Sequence, residues 1–185
     1  MSNQGMGAPG PEHDHLKPFV GTFRAEVKIW MGPGDPMIST GTMENTMDLG
    51  GRFLRQTYTG DPSDGPFPEF EGRGFWGYNQ IAKQYEGLWI DNASSVMQTE
   101  TGSLDASGKI WVMTGSVPDP QTGASIVKRS VVTLQDDDHH RMEMFFQKEG
   151  AEFKGMEITY TRTANIDTTT CQYSCACCSN QYAYA

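Results

Sequence analysis

Apolar and polar residues alternate along most of this chain with a period of two. Between Thr22 and Ile29, the residues Phe23, Ala25, Val27 and Ile29 fall on one side and Thr22, Arg24, Glu26 and Lys28 on the other. Successive side chains of an extended backbone point to opposite faces, so this is the pattern of a half-buried strand. After the break Met31-Gly-Pro-Gly-Asp-Pro36, a second strand sets Met43, Asn45, Met47 and Leu49 against Thr42, Glu44, Thr46 and Asp48. Gly50-Gly51 then permits a tight reversal at positive φ. A third strand runs from Arg52 to Thr59 and ends in the long loop Gly60-Asp-Pro-Ser-Asp-Gly-Pro-Phe-Pro68.

Further strands are predicted near residues 70–78, 84–91, 95–102, 109–116, 125–134, 140–148 and 152–162. Tyr78-Asn79-Gln80, Asp91-Asn92-Ala93, Asp105-Ala-Ser-Gly108, Pro118-Asp-Pro-Gln-Thr-Gly123, Asp136-Asp-Asp-His139 and Glu149-Gly150 separate them. All of these separators carry turn chemistry. Short links join antiparallel neighbours, because parallel strands need connections of about a dozen residues or more. A meander of about ten strands curls and closes, which removes its exposed edges. The expected fold is therefore all-β, an antiparallel up-and-down barrel.

Ahead of the first strand, Pro11-Glu-His-Asp-His-Leu-Lys-Pro-Phe-Val20 allows about one turn of helix before Pro18 discourages continuation. That turn is placed to plug a barrel mouth. The expected organisation is a flexible Gly/Pro-rich leader over residues 1–11, a barrel domain over 12–163 and a disordered Cys-containing tail over 164–185.

The 185 residues suffice for one all-β domain with a sizeable core. A net charge of −9, with arginine and lysine scattered singly, argues against nucleic acid and anionic membranes as partners. No apolar run reaches signal-peptide or membrane-span length, which points to a cytoplasmic protein. All four cysteines, Cys171, Cys175, Cys177 and Cys178, lie near the C-terminus, so no disulfide can tie distant parts of the barrel together.

With the strands placed, the spaced glycine and aromatic residues resemble the bacterial family known as domain of unknown function 1579. The matching residues are Leu16, Val20-Gly21-Thr22, Gly41-Thr42, Leu49-Gly-Gly-Arg52, Gly74, Gly77-Tyr78, Trp89-Ile-Asp91, Gly108-Lys109 and Tyr160-Thr-Arg162. The resemblance implies a calycin-like barrel, the group of lipocalins and fatty-acid-binding proteins that hold small apolar or amphipathic ligands. It implies no catalytic residues. Haem-binding nitrobindin-like barrels ligate iron through a histidine on a late strand, whereas His139 and His140 here fall in an acidic turn. No cofactor is therefore expected. Fatty-acid-binding proteins hold a carboxylate with Arg-X-Tyr on the last strand, and this chain has Tyr160-Thr161-Arg162 in reverse order.

Arg55, Arg73 and Arg162 share faces with Phe53, Phe75 and Tyr160 respectively. Inward arginines need carboxylate or ligand partners, because burying an isolated charge is costly. If they converge, they can bind an anionic head group bidentately. The alternative is that they face solvent or pair with Glu71 or Glu157. Candidate ligand contacts are Arg55, Arg73, Tyr78, Trp89, Tyr160 and Arg162. Methionines at 43, 47, 97, 113, 142, 144 and 156, with Trp76 and Trp111, suit either an adaptable pocket or plain core filling.

Glu12-His-Asp-His15 and Asp136-Asp-Asp-His-His140 have metal-ligand chemistry but read as solvated turns, so no metal is expected. No nucleophile and base stand out, and a carboxylate pair such as Glu71 with Asp91 is not singled out by spacing. The chain reads as a barrel binding a small hydrophobic or amphipathic molecule. The alternative is a filled barrel that assembles into homo-oligomers through its surface or its tail.

Overall fold

Ten strands close on themselves in the computed structural model of the protein, which describes residues 7–62, 69–119, 122–148 and 150–163. The predicted tail and its cysteines, like most of the leader, lie outside the described residues. The strands are β1 (Gly21–Ile29), β2 (Met37–Asp48), β3 (Phe53–Gly60), β4 (Glu71–Asn79), β5 (Gln84–Asp91), β6 (Gln98–Leu104), β7 (Ile110–Pro118), β8 (Ser125–Leu134), β9 (His139–Lys148) and β10 (Ala151–Arg162). Each pairs antiparallel with its sequence neighbours. β1 closes the barrel on β10, from Phe23 opposite Arg162 to Ile29 opposite Met156. The expected up-and-down architecture is present.

Alternation holds around the wall. Phe23, Ala25 and Val27, Met43 and Asn45, Leu54 and Tyr58, Trp76, Tyr85, Trp111 and Met113, Val132, Ile158 and Tyr160 all point inward and are buried. One residue of the alternating set Met43, Asn45, Met47 and Leu49 departs. Leu49 is not on β2 but in the reversal after it, at φ 47° and 64% exposed. The Asp48 carbonyl accepts hydrogen bonds from Gly51 and Arg52 there, closing the turn before Leu49 can face the lumen.

The residues before β1 form a plug. A short helix, α1 (Pro11–Asp14), is followed by a 3-10 helix over Lys17–Phe19, whose Pro18 sits in the first turn, where a missing N–H breaks no bond. Leu16 and Phe19 enter the barrel end and pack on Leu54, Trp76, Tyr85, Trp111, Met113 and Val132. Asn45 donates from Nδ2 to the Phe19 carbonyl at 2.9 Å, and the Tyr85 hydroxyl donates to the Glu12 carbonyl at 3.0 Å.

Arg162, at the end of β10, fastens this plug. Its guanidinium donates to the carbonyls of Val20 and Pro18, both at 2.7 Å, and to that of Asp137 in the β8–β9 turn at 2.9 and 2.7 Å. Its carbon lies 4.5 Å from the centre of the Phe23 ring. Hydrogen bonds to a charged group contribute about 1.5–3 kcal/mol each at most, and they do not add fully. Arg162→Met is therefore expected to lower the unfolding free energy by about 2–4 kcal/mol with an unchanged urea m-value. Arg162→Lys should recover less than half, since one ammonium cannot span three carbonyls. A loss under about 1 kcal/mol in Arg162→Met would mean that packing alone holds the plug.

Candidate functional site

The polar part of the lumen is built from a single row of the sheet. Register places Gly87 opposite Glu100, Glu100 opposite Gly115, and Gly115 opposite Lys128 across β5, β6, β7 and β8. Gly115 has no side chain to separate its neighbours, so the inward side chains of Glu100 and Lys128 meet over it. A Cβ at position 115 would crowd the Glu100 Cβ at 3.2 Å. Lys128 Nζ lies 3.3 Å from Glu100 Oε2 and donates to Gln98 Oε1 at 3.3 Å, while the Ser130 hydroxyl donates to Glu100 Oε2 at 2.8 Å. The Lys128 and Glu100 side chains are only 5% and 12% exposed.

This cluster sits beside apolar and aromatic wall. Gly72 and Gly74 on β4 leave room for the Trp89 indole, which lies against them where any Cβ would overlap it. Trp89 donates from Nε1 to Asp91 Oδ2 at 3.1 Å, and Asp91 Oδ1 accepts from the backbone of Ala93 and Ser94, so that carboxylate is occupied in shaping the β5–β6 turn. Met142 and Met156 pack against the cluster of Phe23, Met43 and Tyr58.

The residues named from sequence are dispersed. Arg55 and Arg73 lie on the outer face, with side chains 53% and 46% exposed, and pair with Asp48 and Glu71 at 3.7 and 3.4 Å. Parity did not reveal this because Phe53 and Phe75, on the same outer rows, are also apolar. Arg162 points inward but is occupied by the plug and the β8–β9 turn. Tyr78 lies at the plugged end, edge-on to Tyr85 with ring centres 5.0 Å apart. Together they line a cleft of about 340 Å³ beside α1 that also touches His15, Lys83 and Asp105. Trp89 is in the lumen. Tyr160 is buried deep in the wall, and burial pushes its hydroxyl pKa well above the usual value.

Sequence reasoning missed two features. Lys128, Glu100, Gln98 and Ser130 belong to strands correctly expected, yet only the register across three strands joins them. His140 was expected in an acidic turn, but it is the second residue of β9 and only 5% exposed. It stacks on Tyr160 with ring centres 4.3 Å apart and meets the rings of Phe23 and Phe19 edge-on at 4.6 and 5.0 Å. β9 begins at His139 because Leu134 pairs with His140 and the Asp136 carboxylate caps the turn. Burial, reinforced by the Arg162 charge, lowers the His140 pKa to about 3. Among the described residues, no group of three or more His, Cys, Asp and Glu could hold a metal ion.

A closed ten-stranded meander, plugged at one end and carrying a buried ionic cluster on its inner wall, defines an up-and-down β-barrel of calycin-like form. The chain belongs to the family described as protein of unknown function (DUF1579), whose model matches residues 8–162. No curated protein matches it. Among solved structures it is similar to Rv2717c from M. tuberculosis, at 13% identity and a TM-score of 0.60, covering 84% of this chain and 99% of that one. It is also similar to the S-type phycobiliprotein lyase CPES from Guillardia theta, at 9% identity and a TM-score of 0.58, covering 84% and 98%. At these identities the likeness is one of fold. No helix among the described residues is long and apolar enough to cross a membrane.

His140 yields a pH prediction. Its folded pKa of about 3 lies below the unfolded value near 6.5, so between these limits the unfolded chain binds the extra proton. Stability from this residue is complete above about pH 6.5 and is lost as pH falls towards 3, with a slope of up to about 1.4 kcal/mol per pH unit. His140→Phe keeps an aromatic ring on Tyr160 and should flatten that acid limb in urea titrations run at a series of pH values. An unchanged limb would assign acid sensitivity to other groups.

Proposed function

We propose that the protein holds a small hydrophobic or amphipathic molecule in the barrel lumen, with Trp89 and the inward methionines against its apolar body and the Lys128 cluster at its polar end. The observation that carries this reading is the buried Glu100–Lys128 pair. Desolvating two charges costs several kcal/mol per ion, and well-packed apolar residues would serve the fold as well or better. A binding role accounts for such a pair on a lumen wall better than stability does. Leu16 and Phe19 pack into the opposite end of the barrel, away from this cluster, which supports the Lys128 half of the lumen as the ligand's end. That a protein described as a phycobiliprotein lyase is built on a similar barrel supports small-molecule chemistry in this frame without selecting a ligand.

The test is a thermal-shift screen of the purified protein against a lipid and metabolite library, repeated with Lys128→Met. Binding predicts that at least one compound raises Tm by several degrees, and that its apparent affinity falls about tenfold or more in the variant. A wild-type protein indifferent to every compound would overturn the reading.

A second reading, a filled barrel that assembles with copies of itself, draws on apolar side chains exposed around the other rim. Met31, Met37, Ile38 and Met97 are 84, 67, 62 and 71% exposed. Met31, Met37 and Ile38 fall in and beside the β1–β2 connection, and exposed apolar groups near one another favour association. A monomeric mass by light scattering at high protein concentration would remove this alternative.

A further inference from the structure

The lumenal cluster also carries information about the charge of what it binds, provided the ligand-binding reading above holds. Lys128 is a buried cation, with its side chain 5% exposed, and its charge is already balanced by Glu100. One of its three N–H donors goes to Gln98 Oε1, and the ammonium lies 3.3 Å from Glu100 Oε2 as an ion pair. Glu100 Oε2 also accepts from Ser130, while among the described residues Glu100 Oε1 accepts no hydrogen bond and Lys128 Nζ donates none besides that to Gln98. What the wall offers is one donor and one acceptor side by side, with no net charge.

The other arginines do not change this balance. Arg162 is committed to three carbonyls at the plugged end, and Arg55 and Arg73 are on the outer face with their own carboxylates. Asp91, at the turn beside Trp89, adds a negative charge near the same half of the lumen. A carboxylate ligand would therefore meet a second carboxylate at Glu100 without an uncompensated cation to offset it, and like charges brought together in a poorly solvated site repel strongly. A primary amide or a hydroxyl fits: its oxygen accepts from Lys128 Nζ and its N–H or O–H donates to Glu100 Oε1.

We infer that the lumen selects an amphiphile with an uncharged polar head that both donates and accepts, such as an amide or an alcohol, and discriminates against the corresponding free acid. This inverts the anionic-head expectation that the arginines raised from sequence.

The experiment is a matched series, decanamide, 1-decanol and decanoate, titrated calorimetrically into the full-length protein near neutral pH. The expected result is that the amide or the alcohol binds at least about tenfold more tightly than decanoate. Decanoate binding as tightly as, or more tightly than, both neutral compounds would overturn the inference while leaving the lumen a binding site. No binding by any of the three would overturn the inference, and the library screen would then decide whether the broader reading falls with it. Glu100→Gln provides an independent check, because it frees the Lys128 charge without changing shape. It should move the preference towards decanoate by about tenfold, and a ranking unchanged in a variant folded by circular dichroism would also overturn the inference.

Discussion

β1 pairs with β10 to close the barrel, and Arg162 is where that pairing is fastened. One guanidinium reaches the last residues before β1, the β8–β9 turn and the face of Phe23, so the first strand, the last strand and the plug are held as one unit. Closure leaves no open sheet edge, and it turns one face of every strand inward. Each assignment of an interior residue follows from it. With β1 displaced, Phe23 and Tyr160 would lose their burial, and the plug would lose its carbonyl anchors.

The interior thus acquires two unlike halves. At the plugged end, Leu16 and Phe19 complete a core of Trp76, Tyr85 and Trp111 in which almost every contact is apolar or aromatic. On the β5–β8 wall, two glycines flank Glu100 in the same row, and a buried ion pair occupies the space they leave. The first half has the composition of a core and explains stability. The second is poorly explained by stability, since a buried pair of charges contributes little net energy to folding.

His140 illustrates how tertiary context changes the chemistry of a residue. Its neighbours in sequence are Asp136, Asp137, Asp138 and Arg141, which read as a solvated turn rich in charge. Its neighbours in space are Tyr160, Phe19 and Phe23, which hold it as a neutral ring. A single step from turn to strand moves the imidazole from water into the barrel wall.

Local patterning was enough to specify about ten strands, the position of most turns, a proline-bearing segment ahead of them and their closure as a meander. Period-two alternation, turn chemistry and the absence of a long amphipathic helix are local properties, so they are legible without coordinates. Which face of β3 and β4 is interior emerges only in the closed sheet, because Phe53, Arg55 and Phe75 alternate with Leu54, Gln56 and Trp76, and each set mixes apolar with polar residues. The closed sheet also decides that Glu100, Gly115 and Lys128 stand in line. Their adjacency depends on the register between strands far apart in sequence, and no property of any one strand contains it.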